Sequence, residues 1–172
     1  MIAKIDYIVD RTTMYRLVLY VLSGLIGIAD VLADFKILAF FPLALLASTA
    51  FLVLMCWAIN TIFGYVFEIP PNIESATITA LILALILDPA QSVGAYQFLG
   101  WAAILAMASK YVLALNKKHL FNPAAIAVVI TSFALRESAS WWVGTVSMLP
   151  FVLVGGLLIV RKLRMEDMLW FF

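Results

Sequence analysis

Lys110 is the residue least at home in its surroundings, lying within the apolar run Ala106-Met-Ala-Ser-Lys110-Tyr-Val-Leu-Ala-Leu115. A charge in such a run is costly, which leaves two readings of it. Either the ammonium faces the protein interior and meets an anion, such as a flavin phosphate or a carboxylate, or its stem snorkels to the nearby helix end. Asn122-Pro123 opens a second apolar run. Asn fits a helix N-cap and Pro the first helical position, where its missing N–H costs nothing. Alternatively, the freed N–H groups of Ala124 and Ala125, with Asn122, hold the polar edge of a ring system. Ser75, Thr77 and Thr79 pose the same choice, since hydroxyls there cap backbone or contact a ligand. Glu74 suits a helix start and equally a cation. Trp141 and Trp142 read as interfacial belt or as a pair that stacks on an isoalloxazine. Asp30, Asp34 and Asp88 fall at the ends of spans, where they form a solvated loop or a cation entrance.

These residues cluster at the starts of two apolar helices too short to cross a bilayer, Ser75 to Leu87 and Pro123 to Leu135. At 1.5 Å per residue either reaches roughly 20 Å, against a hydrocarbon core of about 30 Å. Unpaired N–H groups at such starts survive inside a membrane only when buried in protein or facing a cavity. Longer spans surround them: Tyr15 to Ala33, Ile37 to about Phe67, Tyr96 to Leu115, and Trp141 through Pro150 to Val160. The pattern of long span, proline-bearing loop and short helix occurs twice, a weak internal repeat.

Two thirds of the 172 residues are hydrophobic and 12% are charged, with a mean hydropathy of +1.10. The expected class is therefore an all-α, polytopic membrane bundle of about six segments including the two short broken helices. No alternating barrel pattern appears, and the near-zero net charge argues against nucleic-acid binding. Cys56 stands alone and cannot form an internal disulfide. His119 is the single histidine, so a bis-histidine haem held by this chain alone is excluded. No Cys, His and carboxylate spacing suggests a metal or iron–sulfur centre. With the amino terminus inside, Lys4, Arg11, Arg16, Lys117, Lys118, Arg161, Lys162 and Arg164 fall inside, while Lys36 and Arg136 fall outside. The positive-inside rule then gives both termini in the cytoplasm of a cell whose plasma membrane the chain crosses. Residues 1–14 form the cytoplasmic segment, 15–164 the transmembrane domain, and 165–172 the start of a further apolar segment, which suggests a truncated chain.

Several stretches resemble the membrane subunit family of Rnf complexes and the sodium-translocating NADH:quinone oxidoreductase, RnfD/NqrB. Glu74-Ser-Ala-Thr-Ile-Thr-Ala-Leu-Ile-Leu-Ala-Leu-Ile-Leu-Asp88-Pro89 is similar to that family's short helix. Ser109-Lys110, Phe121-Asn122-Pro123-Ala124 and Gly155-Gly156 through Arg161-Lys162 resemble its other motifs in order and spacing, so that the likeness covers residues 70 to 164. It implies a transmembrane electron-transfer module related in fold to urea and ammonium channels, coupled to sodium or proton movement. The family's motif for covalent FMN on threonine is missing, so the implied cofactor is FMN or riboflavin held non-covalently. Lys110 and Asn122 would contact its polar groups, with Thr77 or Trp142 supporting the ring, and Pro123 and Ser75 complete the implied binding set. Implied partners are the lipid bilayer and a cytoplasmic flavin- and NAD-binding reductase domain or subunit, with a homodimer as one way to complete a chain of half the usual spans. A channel-like solute or cation transporter without redox chemistry, and a passive membrane anchor for a reductase, are the alternatives.

Overall fold

The computed structural model describes residues 11–115, 118–119, 121–135 and 139–163. The amino-terminal segment up to residue 10 and the expected further apolar segment from residue 165 lie outside the described residues. Six α-helices are present among those described: α1 Met14–Asp34, α2 Pro42–Val66, α3 Ile73–Ile86, α4 Val93–Val112, α5 Pro123–Leu135 and α6 Leu149–Leu163. A two-residue antiparallel ladder, β1 Ala114–Leu115 with β2 Lys118–His119, links α4 to α5. Helices α1 and α2 are long and apolar enough to cross a membrane, while α3 and α5 are shorter apolar helices.

The two long helices end in the same way. In α1, Lys36 N–H donates to Ala33 O and Ile37 N–H to Leu32 O; in α2, Glu68 N–H donates to Tyr65 O and Ile69 N–H to Gly64 O. This is the Schellman pattern, in which carbonyls orphaned by the helix end find donors from a left-handed residue and its successor. The left-handed positions are held by Lys36 and Glu68, with φ of 59° and 55°, where glycine would be unstrained. Because Lys36 turns the chain and Phe41 is extended before Pro42, the second span begins at Pro42 instead of Ile37. Gly64 lets the chain fold back at once: a Cβ there would lie 2.9 Å from Ile69 O and 3.2 Å from Pro71.

That return places α3 at the centre of the bundle, against α1, α2, α4 and α5. Its Ala76, Ala80 and Ala84 are buried at i, i+4 and i+8, in one core cluster with further buried alanines such as Ala29, Ala102 and Ala106. Small residues let backbones approach closely, and Leu45, Leu52, Leu83, Leu99 and Met107 fill the remaining volume. Large apolar side chains also cover the outside, among them Leu43, Leu54, Ile62, Phe133 and Leu153. Two helices of spanning length and an apolar exterior are features that membrane-embedded bundles share, by length and composition alone.

The sixth span departs from expectation. Instead of one helix from Trp141 to Val160, a 3-10 turn at Trp142–Gly144 precedes α6 at Leu149–Leu163. Trp141 adopts a left-handed conformation with φ of 52°, which redirects the chain so that Trp142 tucks beneath α3. Pro150 then falls in the first turn of α6, where a helix tolerates it.

Candidate functional site

The start of α3 gathers most of the buried polar groups. Asn72 caps it, its Oδ1 accepting from Ser75 N–H at 2.9 Å, while its carbonyl accepts from Ala76 N–H at 3.1 Å. Lys110 reaches across from α4 and is only 7% exposed. Its Nζ donates to Ser75 O at 2.7 Å and to Ser75 Oγ at 2.9 Å. Thr79 Oγ1 donates to the same carbonyl at 3.0 Å. Of the two sequence readings of Lys110, the interior orientation is the one observed, with Ser75 as its partner.

Neighbouring groups extend this network. Buried Asn60 of α2 accepts from Tyr111 OH through its carbonyl or its Oδ1, at 3.0 and 2.9 Å, and its Nδ2 approaches Asn72 O at 3.5 Å. Trp57 Nε1 donates to Thr77 Oγ1 at 2.7 Å, and Thr77 donates in turn to Ile73 O. Arg16 and Glu74 form an exposed ion pair at 3.2 Å that ties α1 to this end of α3. Nothing in the motifs singled out Asn60 and Tyr111, although an amide in the middle of the apolar run of α2 was a readable signal.

Electrostatically the arrangement is uneven. A helix N-terminus carries partial positive charge, and the Lys110 ammonium adds to it. Among the described residues no carboxylate pairs with Lys110, because Glu74 is turned to Arg16. Two short hydrogen bonds to a carbonyl and a hydroxyl stand in for a counter-ion.

The other expected site residues lie elsewhere. Asn122 is exposed and caps α5 through Ala124 N–H at 3.0 Å, with Pro123 at the first helical position. Trp142 lies at the opposite end of α3, where its Nε1 donates to Ala84 O at 3.1 Å and Leu87 O at 3.0 Å. Trp141 N–H donates to Ile86 O and Leu87 N–H to Leu83 O, so the orphan carbonyls of the α3 terminus are largely satisfied. Of the tryptophan pair, Trp141 is exposed and Trp142 buried. Ser48 completes this end, accepting from Ala90 N–H at 2.7 Å.

Two open clefts accompany these ends. One of about 720 Å³ is lined by Thr61, Gly64, Tyr65, Glu68, Pro70 and Pro71 at the α2–α3 turn. The other, about 300 Å³, lies where α3 ends and is lined by Phe40, Asp88, Pro89, Gln91, Trp142 and Thr145 among others. Neither is lined by Lys110, Ser75, Thr77, Asn122 or Pro123. Of the residues named for a flavin, Lys110 and Ser75 meet at the α3 start, where Thr77 accepts from Trp57, while Asn122 and Pro123 stand at the start of α5 and Trp142 at the far end of α3. Asp30, Asp34 and Asp88 form no metal-binding group among the described residues. One carboxylate oxygen of Asp30, Oδ1, is buried without a hydrogen-bond partner.

No family model matches the chain, and no curated protein or solved structure matches it either.

Proposed function

We propose that this chain is a polytopic module of the plasma membrane that acts as a helical anchor for a redox assembly, with both termini in the cytoplasm. The single observation that carries the reading is the closed start of α3, where Lys110, Ser75, Thr79 and Asn72 engage one another. A half-length helix whose start is tied to its neighbours by such bonds holds a bundle together. The redox setting comes from the resemblance of residues 70 to 164 to RnfD/NqrB subunits, and the partner is a cytoplasmic reductase domain or subunit. Exposed Gly24 and Gly27 of α1, with open space where a Cβ would stand, suit the close approach of another helix, including one from a second copy.

Electron transfer through a non-covalent flavin is the second reading, and one observation favours it. Lys110 presents a buried ammonium at the positive end of α3 with no carboxylate among the described residues, a setting that an anionic group contributed within an assembly would relieve. The flavin would supply the redox chemistry, and this chain burial and hydrogen bonds.

Purified protein should be colourless and should leave liposomes impermeable to sodium, protons and small solutes. Visible flavin absorbance would replace the anchor with the second reading, and solute flux would replace it with a transporter. Membrane topology is tested separately with an impermeant thiol reagent. Gln91→Cys should label only from outside and Glu68→Cys only from inside; labelling of both from one side would overturn the crossing pattern.

A further inference from the structure

The cleft at the far end of α3 has no part in the anchor reading, and we propose that it binds an organic ammonium group, a positive nitrogen carried on a small apolar body. Its wall is aromatic. Phe40 and Trp142 meet edge to face with centroids 5.1 Å apart and an interplanar angle of 69°. Trp142 is fixed in that pose by its two bonds to α3 carbonyls, so the wall is preformed. Leu38, Ala39 and Pro89 add apolar lining, and Asp88, Gln91 and Thr145 add polar side chains, all three exposed and without a hydrogen-bond partner among the described residues.

Charge selects the ligand. The cleft lies at the C-terminal end of α3, where Asp88 carries a full negative charge and no Lys or Arg among the described residues lines it. An anion is therefore repelled and a cation drawn in. A bare metal ion is disfavoured, since among the described residues Asp88 is the one carboxylate in the lining and no group of three His, Cys, Asp or Glu converges. Two aromatic side chains and a carboxylate in one lining instead suit a large, weakly hydrated cation, the residue types that hold quaternary ammonium groups. The volume of about 300 Å³ sits at the small end of ligand pockets and admits a headgroup-sized body.

Such an ammonium has two possible sources, the headgroup of a bilayer lipid or a free amine. The proposal rests on the geometry of this end alone, so its failure and that of the anchor reading are distinguishable. Saturation-transfer NMR on protein in a neutral sugar detergent tests it, with tetramethylammonium as probe. Signal should pass from protein to the probe's methyl protons, and sodium chloride at equal ionic strength should not displace it. Asp88→Asn, an exposed substitution, should weaken binding by about tenfold, whereas Glu68→Gln at the opposite end should leave it unchanged. Should Asp88→Asn fail to fold, Gln91→Leu and Thr145→Val carry the test, each expected to weaken binding severalfold.

Absence of transfer, equal binding by a folded Asp88→Asn protein, or displacement by sodium would overturn the proposal. Native mass spectrometry after extraction from phosphatidylcholine or phosphatidylglycerol vesicles then separates the sources. Retention of the choline lipid alone, lost in Asp88→Asn, assigns the lipid headgroup. Retention of neither lipid, with tetramethylammonium still bound, assigns a free amine. Equal retention of both lipids through Asp88 would count against ammonium recognition.

Discussion

The two short helices begin alike and end in different environments. Both follow a long helix, both are entered through an Asn cap, and they contain 14 and 13 residues. Yet α3 is enclosed by four other helices, with Ala76, Ala80, Leu83 and Ala84 at most 4% exposed, whereas α5 presents Val129, Ile130 and Phe133 to the outside. The ends differ as well. Side chains from α2, α4 and the Trp142 turn reach the termini or flanking loops of α3, while the described cap of α5 is Asn122 alone. A local signal is enough to start a helix partway, and long-range contacts decide whether it becomes the centre of a fold or part of its surface.

The sharpest way to break this contrast is Trp142→Ala. It removes a buried ring packed on Phe40 and leaves the Ala84 and Leu87 carbonyls without their indole donor. A loss of about 3–5 kcal/mol is expected, the usual range for truncating a buried aromatic. Phe133→Ala on α5 removes a ring that is 86% exposed and should change stability by under about 0.5 kcal/mol. Unfolding by denaturant in detergent micelles measures both, and comparable losses would mean that α3 is no more central than α5.

Gly64→Ala addresses how α3 reaches the centre. The new methyl would meet the Ile69 carbonyl and the Pro71 ring, and backbone at that distance cannot step aside as a flexible side chain would. We expect about 1–3 kcal/mol of destabilisation from overpacking. The control is Gly24→Ala on α1, where no atom lies within 4 Å and helix propensity should make the change neutral or stabilising by up to about 1 kcal/mol. An unchanged melting temperature in Gly64→Ala would show that the turn relaxes freely.

Lys110→Met keeps most of the stem and removes the ammonium. Ser75 O retains the Thr79 bond, so only part of its hydrogen bonding is lost. The expected loss is about 1–2 kcal/mol, the scale of a hydrogen bond to a charged group, partly offset because a cation leaves the positive end of a helix. A gain in stability would instead mark Lys110 as strained in this chain alone, and would strengthen the reading in which an anion from an assembly meets it.

How legible this was from sequence follows the same division. The short helices were readable, and so was the Asn122 cap, because Asn before Pro acts over one turn, whereas Asn72 was not singled out as the cap of the first. Expected bounds of Ser75 to Leu87 and Pro123 to Leu135 became Ile73–Ile86 and Pro123–Leu135. The break before α6 had a readable signal in Gly144, Thr145 and Ser147 ahead of Pro150, whereas the left-handed Trp141 that redirects the chain had none. Pairings such as Lys110 with Ser75, 35 residues apart, or Trp142 with Ala84, 58 apart, depend on packing that no local window contains. Lys110 was recognisable as a residue needing a partner, but its partner was not.

The smallest effect gives the cleanest comparison, because Asn72→Ala and Asn122→Ala remove the same chemistry from the two helices. Each deletes a side-chain acceptor for one backbone N–H, that of Ser75 in α3 and that of Ala124 in α5. Loss of such a cap costs about 1 kcal/mol in either setting. What should differ is how far the damage spreads. In α3 the freed Ser75 also carries the Lys110 bonds, so amide exchange should accelerate along α3 and at the facing turns of α4. In α5 the cap is exposed and stands apart from that network, so faster exchange should stop within the first turn, near Ala124 to Ile126. Equal spread in the two variants would mean that Lys110 and Ser75 do not couple α3 to α4, and that the closed start of α3 is a consequence of the bundle and not one of its supports.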